Sequence, residues 1–163
     1  MIAQTLVPEL KQETAQTRKM LERIPFDQWK WKPHEKSGSL GSLATHVAQL
    51  SSWTGLIVTT KELDFSKGYR PLDLKSTDEM LQLFDQNSAQ SVSALEAASD
   101  ETLLEPWTLR NGDVVYFTMP RVSVIRTFAM NHIIHHRAQI SVYLRLLNIP
   151  VPGMYGPSAD ESK

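Results

Sequence analysis

Between Pro120 and Asn148, the stripe Val122, Ile125, Ala129, His132, His136, Gln139/Ile140, Tyr143 and Leu147 steps by threes and fours. That period belongs to one face of an α-helix. The stretch contains no acid, Pro120 is suited to start it, and Asn148 with the Pro150/Pro152 pair to stop it. A helix this long and apolar needs partners to cover it, so the chain must fold largely as packed helices.

Three further helices are predicted. The first covers about residues 3 to 23, with Leu6, Leu10, Thr17, Leu21 and Ile24 on one side, Glu13 interrupting the stripe, and Pro25 as the stop. The second starts at Ser39, a good N-cap, and carries Leu43, His46, Leu50, Trp53 and Ile57 at steps of three and four. The third opens with Ser76-Thr77-Asp78-Glu79, a capping box, and continues through Met80, Phe84, Ser91 and Leu95. Between helices three and four, Asn111-Gly112 separates two apolar-rich arms over 107–117, which predicts a small two-stranded flap. The connections at about 25–38 and 61–75 are longer than bundle loops usually are, so at least one should cross the bundle. The fold class expected is all-α, a four-helix bundle with a β-hairpin, and residues 1–163 read as a single domain.

Seventeen basic residues against 18 acidic ones leave no polycationic surface, which argues against nucleic acid as a partner. No window approaches the roughly 20 apolar residues of a membrane helix, and Met1-Ile2-Ala3-Gln4-Thr5 does not open a signal peptide. A cytoplasmic protein without a membrane partner is expected. With no cysteine in the chain, thiolate ligands and disulfides are excluded, and any thiol chemistry must draw on an external thiol.

His132 and His136, four apart on the fourth helix, share a face, and His46 lies on the apolar seam of the second. A single core histidine is ordinarily satisfied by a neighbour's hydrogen bond. Three unpartnered buried imidazoles would cost on the order of 1–3 kcal/mol each, and one divalent ion satisfies all three at once. Three neutral imidazoles also leave a coordination position open, as in catalytic zinc sites. His135 lies off the seam, and His34 reads as a surface loop residue. Glu13 is a candidate base if it faces the cavity, although glutamates at such positions usually reach solvent or an arginine. Arg121, Arg126, Arg137 and Arg145 should pair with acids such as Asp85 and Glu96. Arg137, beside His136, is also a candidate for drawing in an anionic substrate group. Trp53, Trp107, Tyr116 and Phe117 read first as packing, with Trp53 a candidate substrate contact on the cavity wall.

Several ordered motifs carry a resemblance. They are Trp31-Lys32-Pro33-His34-Glu35-Lys36-Ser37, Ser42-Leu43-Ala44-Thr45-His46, Asn131 through Ile140, Tyr143-Leu144-Arg145 and Val151 through Glu161. In these the chain resembles the DinB family, the DinB/YfiT-like metalloenzymes, over nearly its whole length. Ala138 departs from the glycine often found there. The resemblance implies an up-down-down-up four-helix bundle and a divalent metal, zinc or nickel, on His46, His132 and His136. It further implies frequent homodimers and, in some members, transferase or isomerase chemistry on a small-molecule substrate with an external low-molecular-weight thiol. Two alternatives stand beside that function: a hydrolase using metal-bound water, and a non-catalytic metal-stabilised binding or stress-response protein. In every case occupancy should fall as pH drops through the histidine range near 6.

Overall fold

The computed structural model describes residues 1–68 and 72–161, so residues 69–71 of the 61–75 connection lie outside the described residues. The chain is mostly helical with one small sheet. Helix α1 (Ile2–Leu21) buries Ala3, Leu6, Leu10, Glu13, Thr17 and Met20, each three or four after the last. Its first amide is met by a carboxylate 98 residues further on: Asp100 Oδ1 accepts from Ile2 N and from the N-terminal ammonium, both at 2.7 Å. A carboxylate there also faces the positive end of the helix dipole.

Helix α2 (Leu40–Leu50) starts as expected, with Ser39 Oγ accepting from Ser42 N at 3.1 Å. The predicted second helix does not run through Ile57, however. It breaks at Ser51–Ser52 and resumes as α3 (Trp53–Thr59). The cause is Ser91 of the next long helix, α4 (Thr77–Glu96), whose hydroxyl donates to Ser51 O at 2.6 Å and accepts from Gly55 N at 3.1 Å. A side chain thus stands where Gly55 N would otherwise bond Ser51 O, a recognised source of kinks. Glycine suits position 55 because a Cβ would sit 3.3 Å from Ser91 Cα. Helix α4 opens at the predicted capping residue, Ser76 Oγ accepting from Glu79 N at 3.0 Å. The short α5 (Asp100–Leu104) follows.

The two-stranded flap is corrected to three strands. β1 (Glu62–Asp64) runs parallel to β2 (Pro106–Asn111), and β2 pairs antiparallel with β3 (Val114–Pro120). The hairpin turn is Gly112-Asp113, with Asn111 already paired to Val114 and Gly112 at φ +58°. Three residues are too few for a legible strand period. β1 is held instead by charge, Glu62 taking Arg110 Nε and Nη2 at 2.9 and 2.8 Å while Asp64 Oδ1 accepts from Gly112 N at 2.9 Å.

The last rod consists of α6 (Arg121–Val124), a π-helical stretch Ile125–Met130 and α7 (Asn131–Leu146). The π stretch shifts the phase of the helix, so the fully buried face of α7 is Ile133, Arg137, Ile140 and Leu144. His132, His136, Tyr143 and Leu147 lie beside it and are only half-buried, although the stripe of threes and fours predicts them on the covered face of the helix. Asn148, at φ +57°, ends the rod in the left-handed conformation, with Ile149 N donating back to Leu144 O at 2.9 Å. α1 and α2 each pack against both α4 and α7, enclosing the core. The expected pairings on Asp85 and Glu96 are also corrected. Those acids take Arg18 and Lys11 of α1, whereas Arg121 pairs with Glu105, Arg126 with Glu9, Arg137 with Glu13 and Arg145 with Asp160. Buried Arg121 also donates to Ile57 O and Thr60 O at 2.9 Å, closing the C-terminal end of α3.

Candidate metal centre

Helix α2 packs against α7, and that contact brings His46 opposite the His132/His136 pair. Ring centroids are 4.8 Å apart for His46–His136, 5.2 Å for His46–His132 and 4.7 Å for His132–His136. One ring nitrogen from each lies within 4.8 Å of the others, close enough for one ion to be shared. His135 is exposed, edge-on to His136 at 5.0 Å, and does not join them. His34 is in the exposed loop, where its Nδ1 accepts from Lys36 N at 3.2 Å.

Burial pushes the His46 imidazole down to about 4, and the neighbouring His136 and His132 push the same way. His132 is lowered chiefly by burial and then by His136, with the Phe128 carbonyl opposing. His132 Nδ1 is buried and completes no hydrogen bond of good geometry among the described residues. His136 is lowered by burial, with Gln139 opposing. All three rings are therefore neutral at pH 7, the state in which imidazole ligates. Three clustered neutral imidazoles, one with an orphaned ring nitrogen, fit a divalent cation.

The same shifts yield a stability prediction for the metal-free protein. Between the ordinary 6.5 and about 4, unfolded His46 binds a proton that the folded chain does not. Stability should then fall as pH drops through that window and stop responding to this group below it. Urea unfolding at a series of pH values, with His46→Gln showing a shallower dependence, checks the sign.

An aromatic wall stands against His132. Trp53 stacks on Phe128 at 4.9 Å, and both rings lie within 6 Å of His132, at 5.9 and 5.7 Å. Phe117 of β3 meets Phe128 edge-on at 5.4 Å, with Trp107 behind it. Tyr116 is exposed beside Phe65 and is not part of the wall. Phe128 escaped the sequence reading, although its place four residues before His132 on one helix was the available signal. On the other side of His46, Trp29, Ser39, Ser42, Thr45, Gln49 and Leu72 line a cleft of about 340 Å³. A larger one of about 420 Å³ between α1 and α4 touches none of the histidines.

Two candidates are placed elsewhere. Arg137 is buried, and its guanidinium donates to Glu13 O, Thr17 Oγ1 and Tyr155 Oη and pairs with Glu13 Oε2 at 2.8 Å. Tyr155 Oη also donates to Glu13 Oε2 at 2.8 Å. Glu13 thus meets an arginine and a tyrosine, and the structure does not bring either Glu13 or Arg137 to the histidines. Among the described residues no carboxylate joins the three imidazoles as a potential ligand.

YrdA of Bacillus subtilis strain 168, an uncharacterized protein, is 28% identical over 151 residues, which span 91% of this chain and 85% of YrdA. The crystal structure of YjoA, a DinB-like protein from Bacillus subtilis, is similar with a TM-score of 0.72 at 18% identity, covering 92% of this chain and 96% of that one. A DinB-like protein from Bacillus cereus ATCC 10987 gives 0.71 at 22% identity, covering 91% and 94%. These two likenesses show the fold, and the family model described as DinB family matches residues 1–163, so this chain belongs to the DinB family.

Proposed function

We propose that the protein is a metal-dependent transferase or isomerase acting on a small molecule with an external low-molecular-weight thiol, on the four-helix, up-down-down-up framework of its family. His46, His132 and His136 hold a divalent ion, zinc or nickel. The single observation carrying this reading is the convergence of three neutral imidazoles from two helices, with no fourth protein ligand among the described residues. Such an ion, when bound, supplies Lewis acidity that lowers the pKa of a coordinated thiol. The chain's own contribution is to orient and shield. Trp53, Phe128 and Phe117 exclude water from the His132 side, and the cleft beside His46 admits a small molecule. The chain has no cysteine, so the thiol comes from outside. The hydrolase alternative is disfavoured because Glu13, its candidate base, is tied to Arg137 and Tyr155.

Elemental analysis of protein purified without an affinity tag should find about one zinc or nickel per chain. Thiol-consumption assays over a panel of electrophiles should show metal-dependent turnover. Metal content near zero under metal-replete growth would remove the reading, and thiol-independent ester or amide hydrolysis would replace it with the hydrolase.

A further inference from the structure

Resting on the metal reading above, we propose that Gln139 is a positioning residue whose side-chain carbonyl holds His136 as the Nδ1–H tautomer, leaving the Nε2 lone pair for the ion. Gln139 Oε1 lies 2.7 Å from His136 Nδ1, one turn along α7. At that distance an amide oxygen and a ring nitrogen need a proton between them, and only the ring can supply it. The opposite orientation of the amide would donate N–H to Nδ1 and force the ring proton onto Nε2. That nitrogen would then have no lone pair to offer an ion shared with His46 and His132. Metal-bound histidines commonly donate their second ring N–H to an outer acceptor, which fixes the tautomer and makes the ligating nitrogen more basic.

Two observations set Gln139 apart from an ordinary surface glutamine. The neighbouring His132 has a buried Nδ1 with no side-chain acceptor among the described residues, so ring orientation is not supplied at every ligand in the same way. The spacing also recurs: His46 is followed three residues on by Gln49, as His136 is by Gln139, and Gln49 lines the same cleft as His46. Gln139 is exposed, so its replacement leaves the packing of α7 untouched.

The test uses full-length protein, metal-free and zinc-titrated. In the metal-free protein, long-range ¹⁵N–¹H NMR should report His136 as the Nδ1–H tautomer, and Gln139→Leu should shift it toward Nε2–H. Zinc affinity should fall about tenfold in Gln139→Leu and hold or rise in Gln139→Glu, whose carboxylate is the stronger acceptor. The metal-free unfolding midpoint should move little in either variant. An Nε2–H tautomer in the unmutated protein, or a Gln139→Leu variant with unchanged tautomer and unchanged affinity, overturns the proposal. If the metal reading itself is wrong, no variant binds zinc stoichiometrically, and the tautomer measurement alone still decides whether Gln139 orients the ring.

Discussion

Replacing His46 by alanine should weaken divalent-metal binding by roughly 100-fold or more while the helices stay folded. Structural zinc sites gain on the order of 10 kcal/mol or more from their ligand set. One ligand's share of that is about 3 kcal/mol, which corresponds to about two orders of magnitude in affinity. His46 is the only one of the three rings carried by α2, so its loss leaves an i,i+4 pair on a single helix, which cannot clamp two helices together. The ring is half-buried and makes no contribution to the fully buried core, so the metal-free variant should unfold close to the unmutated protein. Isothermal titration with zinc and nickel measures the first quantity, and thermal unfolding in chelator the second. Undiminished affinity in this variant would mean that the ion, if any, is held elsewhere.

The second large effect lies away from the histidines. Arg137→Met should destabilise the fold by about 3–5 kcal/mol, because the buried Glu13 carboxyl is left without its counter-charge. Tyr155 Oη would remain as the partner of the Glu13 carboxylate, which is not enough to replace a guanidinium that also reaches Glu13 O and Thr17 Oγ1. The double variant Glu13→Leu with Arg137→Met should recover most of that loss, since replacing a buried pair by apolar side chains is often close to neutral. Urea unfolding with an unchanged m-value reads both results. Zinc affinity should stay within a few-fold of the unmutated protein, as this pair ties α1 and the tail to α7 and does not touch the imidazoles. A large loss of affinity together with unchanged stability would restore Arg137 as a residue of the site.

Much of the frame could be read from side-chain spacing. The capping serines Ser39 and Ser76 and the stop at Asn148 follow local rules of backbone hydrogen bonding and left-handed conformation and stand where those rules put them, whereas the hairpin turn lies one residue later than Asn111-Gly112 predicts. The three histidines are legible by the same means, since i,i+4 spacing on one helix and a seam position on another are properties of sequence. Other features depend on groups distant in the chain. The break at Ser51 arises because Ser91, 40 residues later, enters the ladder of α2 and α3. β1 pairs with β2, and Arg110 and Gly112 bind its carboxylates from 48 residues away.

The sequence by itself determined the long helical stretches, the capping residues of α2 and α4, and which imidazoles are candidates for one ion, but not the short α5 or the break before α3. Periodicity and capping act over a few residues, so a linear reading suffices for them. Only the tertiary structure decided that α2 and α7 bring those imidazoles together, that the π-helical stretch turns His132 and His136 to the edge of the core, and that Phe128 backs them. It alone assigned Arg137 and Glu13 to each other. These outcomes turn on which charges and rings meet across helices, and a pairwise meeting between distant segments is selected by packing and desolvation of the whole core.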